Sequence, residues 1–279
     1  MEVNIRLRWL GNAGLQIEHT DILVVDPFLT RPSMKKLFFS TLETNIALQE
    51  TILPECDTIL ITHAHYDHML DAPIIAQKTG ARVYGDANTC QLMEMLGVNP
   101  SQLREIGYGE TFNAGNFRVT TIEGHHPWLP GFTRGKVKGN LSVPLRVRDY
   151  RMDKNFSFLI ETDELRMLVW SSTRTNKAVP ADVLFMRAVS SEHWYRDFLK
   201  RVQPKIAIPT HWDNLMRPLG ESTQPFYGPP KFAWPPLQRV NLDELENKMR
   251  SALPGCRLFI PERLRAYDLL PDITINARD

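Results

Sequence analysis

The segment His63-Ala64-His65-Tyr66-Asp67-His68 puts three imidazoles and one carboxylate into six consecutive residues. In extended backbone His63 and His65 point to the same side of the chain. Asp67 and His68, on the turn into a following helix, can address a neighbouring point. Imidazole nitrogen with one carboxylate is the donor set of a borderline divalent cation, zinc first, with manganese and iron as alternatives. No cysteine belongs to the cluster, which argues against a closed structural zinc site. The bland alternative is three surface histidines gathered by accident. Placement speaks against it, because the cluster follows an apolar strand, where a loop can aim several side chains into one cavity. Further ligands must come from elsewhere in the chain. His125 and His126 end the strand in TTIEGHHPW, and His211 stands just beyond the apolar run KIAIPT. His19 and His193 lack such a setting and read as structural.

The elements that must position these groups are short strands with interspersed helices. NIRLRWL, GLQIEH and DILVVDP, broken by Gly11, Asn12, Gly14 and Pro27, predict an antiparallel set. Residues 30–50 are ambiguous and fit a short helical insertion. CDTILIT is a buried strand leading into the histidine cluster. Apolar spacing predicts a helix from Met69 to Lys78, stopped by Gly80, then strand ARVYGD and a helix in NTCQLMEML stopped by Gly97. FRVTTIEG is a strand after a turn, and FSFLIE with LRMLVW reads as a hairpin across Thr162-Asp163-Glu164. Strand DVLFM, a helix over 191–202 and strand KIAIP follow. Asn241 with Glu244 forms a capping-box pattern ahead of a last helix, and strand CRLFI comes after it. This order suits an α/β architecture of sheets covered by helices. The stretch 218–237, dense in proline and aromatics, reads as a packed surface excursion more readily than as a lid.

Composition excludes several classes. The 279 residues are 43% hydrophobic and 23% charged, enough for a sizeable core. Lys and Arg number 33 against 32 Asp and Glu, so the net charge of +1 gives no sign of a nucleic-acid partner. The N-terminus lacks the apolar core of a signal peptide, and no transmembrane stretch is visible. Three separated cysteines, Cys56, Cys90 and Cys256, read as free thiols, so a cytoplasmic protein is expected.

THAHYDH resembles the signature of the metallo-β-lactamase superfamily. WLGNAGLQIE with ILVVDP, and IPTHWD near the end, resemble the group that includes L-ascorbate-6-phosphate lactonase and the N-acylphosphatidylethanolamine phospholipase D-type enzymes. The resemblance covers most of the chain. It implies a single α/β domain over residues 1–279, folded as a four-layer αββα sandwich. It also implies one or two divalent ions. His63, His65 and one of His125 and His126 would hold the first, with His126 favoured by its distance from Thr120. Asp67, His68 and His211 would hold the second. Asp26 matches an early aspartate that would orient a ligand from behind. One departure stands out. Ser172 occupies the place where the family usually carries an aspartate bridging both ions, and a neutral hydroxyl is a poor ligand. A weak second position, an altered chemistry or an introduced substitution would each account for it.

These residues imply a hydrolase in which metal-activated water attacks an ester, lactone or phosphodiester, with Asp67 orienting the water or accepting its proton. No serine or cysteine nucleophile motif competes. The expected partner is a small-molecule or phospholipid-like substrate, and homo-oligomer formation is left open. Trp128, Phe132, Arg134 and Arg187 are candidates to line the pocket. The rival readings are a degenerate member that binds a ligand or partner without hydrolysis, and a di-iron redox protein, for which no electron-donor motif is present.

Overall fold

The computed structural model describes residues 5–127, 133–188, 190–228, 238–269 and 274–277. Two large sheets dominate these residues. The first has eight strands in the order Ile275–Ala277, Ala266–Leu269, Ile5–Gly11, Gly14–Glu18, Ile22–Val25, Thr58–Leu60, Arg82–Gly85 and Leu103–Glu105. The second has seven, in the order Arg257–Leu258, Ile206–Thr210, Val183–Arg187, Arg166–Trp170, Phe156–Glu161, Phe117–Glu123 and Thr111–Ala114. The opening strands pair antiparallel as expected, Leu7 opposite Ile17 and Leu15 opposite Val25. From Ile22–Val25 onward the first sheet is parallel, because each crossover carries helix.

Alternation along the strands sorts side chains into layers. Leu7, Trp9, Ile17 and Leu60 face the second sheet's Phe158, Ile160 and Val183 in one buried core. Tyr84 of the first sheet stacks on Phe112 of the second, ring centroids 4.6 Å apart. On the far side of the first sheet, Val24, Ile59, Ile61 and Val83 pack against Met69, Ile75 and Leu92. On the far side of the second, Trp170 meets Phe198 of the helix Glu192–Val202 at 5.1 Å. The result is helix, sheet, sheet, helix.

Local chemistry explains most element ends. Gly80 (φ 78°) and Gly97 (φ 90°) take the left-handed conformation that stops the helices before them. Ser191 accepts from the Trp194 amide to start Glu192–Val202. Asn241 likewise accepts from the Asp243 and Glu244 amides. The expected reciprocal half of that capping box is replaced, because the Glu244 carboxylate pairs with Lys248 at 2.6 Å.

Several expectations need adjusting. The helix expected from Met69 begins at Ala72, after a separate turn at Tyr66–Met69. At the break, the Asp71 carboxylate accepts from the Leu29 and Thr30 amides, the Thr30 hydroxyl and Gln49. The ambiguous residues 30–50 form two short helices, Met34–Phe39 and Ile46–Ile52. CRLFI contributes only the two-residue strand Arg257–Leu258. Of the stretch 218–237, residues 229–237 lie outside the described residues. No helix among the described residues is long and apolar enough to cross a membrane.

Phe158 is fully buried between the sheets. Phe158→Ala is expected to cost about 3–5 kcal/mol of unfolding free energy, read by urea denaturation. A cost below about 1 kcal/mol would contradict its place in a tightly packed core.

Candidate metal centre

The histidine cluster occupies the C-terminal edge of the first sheet's parallel strands, just after Thr58–Leu60. The second sheet meets it there, since the Phe156 amide donates to Thr62 O at 2.8 Å. Strands Phe117–Glu123, Arg166–Trp170, Val183–Arg187 and Ile206–Thr210 run in one direction, so the residues that follow them emerge at the same edge. These residues include His126, Ser172 and His211.

Two groups of side chains converge. One ligand atom each from His63, His65 and His126 lies within 4.8 Å of the others, and the same holds for Asp67, His68 and His211. The rings of His63 and His68 are 3.9 Å apart between centroids, which places the two groups side by side.

Hydrogen bonds on the outer side of the rings fix which nitrogen faces inward. A carboxylate or carbonyl can only accept, so the ring nitrogen facing it carries the proton. Asp26 Oδ2 accepts from His68 Nδ1 at 2.8 Å, leaving Nε2 for the centre. Pro127 O accepts from His126 Nδ1 at 2.7 Å, and Thr133 O from His65 Nε2 at 3.3 Å. The Thr62 hydroxyl donates to Asp26 at 2.6 Å and so can accept from His63 Nδ1 at 3.0 Å. His63 Nε2 and Asp67 Oδ1 are then buried with no hydrogen-bond partner. Orphaned buried groups of this kind are costly unless something else engages them. Nitrogen and carboxylate oxygen together fit a divalent cation.

For His63, His65 and His126 the electrostatics agree with neutral, lone-pair-bearing ligands, whereas His68 is drawn towards its charged form by two carboxylates. Burial and the surrounding imidazoles hold the His63 pKa well below its ordinary value. Burial, with smaller contributions from charged neighbours, brings His65 down to about 4 and His126 to about 3. Burial pushes Asp67 upward, but His68 and His211 outweigh it and keep the carboxylate ionised. Burial also opposes charge on His68, and there Asp26 and Asp67 prevail and raise its pKa.

His125 stays out of both groups, because its Nδ1 turns to the Thr173 hydroxyl at 2.8 Å. Ser172 also points elsewhere. Its Oγ accepts from the His125 amide at 2.9 Å and the Arg174 amide at 3.1 Å, so it shapes the loop that presents His126. Glu161 is paired with Arg166 at the opposite end of its strand. His19 and His193 sit beside Glu164 and Asp197, away from the centre. Trp128 and Phe132 lie outside the described residues.

Sequence reasoning missed the supports. Asn12, read only as a turn residue, accepts from the His211 amide at 2.7 Å and donates to Asp67 O at 2.8 Å. Its own amide donates to Asp213 at 2.7 Å, and Asp213 is held by buried Arg31 at 3.1 Å and Arg263 at 3.6 Å. Thr62 was overlooked in the same way, although adjacency to the cluster was a usable signal.

A family model described as "Beta-lactamase superfamily domain" matches residues 22–212. The UPF0173 metal-dependent hydrolase of Polynucleobacter asymbioticus is 30% identical over 131 residues, 44% of this chain and 42% of that protein. The chain thus spans about two fifths of the length of the curated relatives it matches first. Igni18, a metallo hydrolase from Ignicoccus hospitalis, has a similar structure, with TM-score 0.61, 15% identity and 99% of both chains covered. CmlA, a diiron β-hydroxylase from Streptomyces venezuelae, reaches a TM-score of 0.56 at 17% identity, over 97% of this chain and 54% of that one. At such identities the likeness is one of fold, and that fold is the metallo-β-lactamase sandwich.

Asp26→Asn keeps the shape but puts an amide where His68 needs an acceptor. The affinity for an ion held by Asp67, His68 and His211 should fall on the order of 10- to 100-fold, measured by competition with a chromogenic chelator. Unchanged affinity would show that the His68 ring is oriented by something else.

Proposed function

Because the chain belongs to the family of the beta-lactamase superfamily domain, we propose that it is a metal-dependent hydrolase of an ester, lactone or phosphodiester. The observation that carries this reading is the pair of converging ligand groups with His63 Nε2 and Asp67 Oδ1 left bare at their centre. His63, His65 and His126 would hold one ion, and Asp67, His68 and His211 a second, with zinc the first candidate and manganese or iron next. A divalent cation there supplies Lewis acidity, acidifying water towards neutral pH and polarising the oxygen of the scissile group.

The protein's own groups do the rest. Asp67, ionised and with Oδ1 uncommitted, is the acceptor that orients a water or takes its proton. Asp26 and Thr62 keep the His68 and His63 rings in the ligating orientation. His211 has 40% of its side chain exposed, so substrate approaches from its side. A small-molecule or phospholipid-like substrate fits an edge open in this way. Residues 1–279 are read as one domain because residues of both sheets build the centre. The free thiols of Cys56, Cys90 and Cys256 support a cytoplasmic setting.

The two positions are unequal in charge. Asp67 is the only carboxylate in either group, and Ser172 has its lone pairs engaged by backbone amides. Two cations side by side without a bridging carboxylate repel each other, so one tightly held ion and one weak one are expected.

Removing metal with a chelator should abolish turnover on a panel of esters, lactones and phosphodiesters, and zinc, manganese or iron should restore it. Turnover that survives chelation would end the metal-dependent reading. Metal-loaded protein inert on the whole panel would favour the ligand-binding alternative. His63→Ala with His65→Ala should lose metal by elemental analysis while the circular dichroism is kept, and unchanged metal content would overturn the ligand assignment. Ser172→Asp should tighten the second ion in calorimetric titration of metal-free protein. Two equally tight sites in the parent would show that another group bridges.

A further inference from the structure

The strand Val183–Arg187 ends in a cation, and its face can be traced through the sheet. Phe112 faces the first sheet, where it stacks on Tyr84. Cross-strand partners share a face, and the register runs Phe112, Val119, Ile160, Met167, Val183. Alternation from Val183 through Phe185 then turns Arg187 to that same inner face. Arg187 pairs in register with Thr210, the residue before His211, and its other neighbouring strand ends at Trp170, just before Ser171 and Ser172. The guanidinium therefore leaves the sheet between the strand that delivers Ser172 and the strand that delivers His211.

Among the described residues Arg187 has no ion pair, and only Tyr195 lies near enough to favour its charge. No carboxylate lies within 4 Å, and its guanidinium donates no hydrogen bond to a described residue. The charged groups around this edge are of the same sign. Arg134 donates to His126 O, and Arg174 directly follows Ser172 and Thr173. Asp26 is committed to His68, and Asp67 is the one carboxylate in the two converging groups among the described residues. Burial lowers the Arg187 pKa, as befits a charge whose solvation is incomplete.

We propose that Arg187 binds an oxyanion, a phosphate or carboxylate group carried by the substrate, and so restricts the hydrolase to anionic substrates. This rests on the reading of the centre as hydrolytic and narrows it. The guanidinium fork matches the geometry of either oxyanion through two parallel N–H donors, which an ammonium group cannot reproduce. Where the family usually has a bridging carboxylate, Ser172 supplies no charge. An anionic substrate group next to Arg187 would restore negative charge at this edge only while substrate is bound.

The test is calorimetric titration of the metal-containing protein with inorganic phosphate and, separately, acetate, on the parent, Arg187→Met and Arg187→Lys. Metal content is equalised first, so that binding to metal alone contributes equally. Arg187→Met should weaken the preferred anion about tenfold or more, and Arg187→Lys should fall in between. The anion with the larger loss identifies the substrate group. If Arg187→Met does not fold, the lysine variant decides, since a point charge without the fork must still weaken binding several-fold. Equal affinities in the parent and the folded variants, or no binding of either anion to the parent well above ~1 mM, would overturn the proposal. Because binding is read without turnover, a protein that hydrolyses nothing still tests Arg187. A working hydrolase whose anion affinity ignores Arg187 would lose only this inference.

Discussion

The candidate metal loop depends on one buried carboxylate. Asp26 accepts from the Thr62 amide at 2.7 Å, the Thr62 hydroxyl at 2.6 Å and His68 Nδ1 at 2.8 Å. A carboxylate taken out of water costs several kcal/mol unless its lone pairs are met. Meeting them here fixes the backbone leaving Thr58–Leu60, the His63 ring through the threonine hydroxyl, and the tautomer of His68. The ligand geometry of the first sheet is thus a by-product of satisfying one anion. The Asp26 amide donates to Leu60 O, which ties the same residue to the strand beneath the loop.

The second sheet is brought to the same point by a comparable device. Asp213, fully buried, is compensated by Arg31 and Arg263 and receives the Asn12 amide. Asn12 then holds His211 by its amide and Asp67 by its carbonyl. Trp9 donates to Asn12 O and stacks on Trp212 at 5.1 Å, so the apolar core supports the polar network. Each ligand loop is therefore buttressed by a buried acid whose partners come from a distant part of the chain. Such pre-positioning keeps several imidazoles together before any cation offsets their crowding.

What the sequence revealed follows from the range of the interactions involved. The His63–His68 cluster, the strands on either side and the glycine helix stops are local patterns, and local patterns survive in one dimension. His126 and His125 could be ranked but not separated, because the choice is made by Thr173, 48 residues away from His125. Arg31 and Asp213 lie 182 residues apart, and neither carries a local mark of the pairing. The C-terminal strands Ala266–Leu269 and Ile275–Ala277 were not anticipated. Only pairing with Ile5–Gly11, at the other end of the chain, gives Tyr267 and Leu269 a reason to alternate. Glu244 had two acceptable partners within one helical turn, and the sequence could not say that Lys248 would win.

Asn12, Asp26 and His211 have φ of 49°, 45° and 56°, the left-handed region that side chains ordinarily avoid. Glycine would suit all three backbones better, by roughly 1 kcal/mol at each. Yet each of these side chains belongs to the centre or its supports. At Asp26 and Asn12 the buried hydrogen bonds of the side chain outweigh that preference, whereas at His211 selection for thermal resilience alone would drift towards glycine, trading usefulness for sturdiness. The ligand loops are a standing compromise, in which the most comfortable chain is not the one that gathers the histidines.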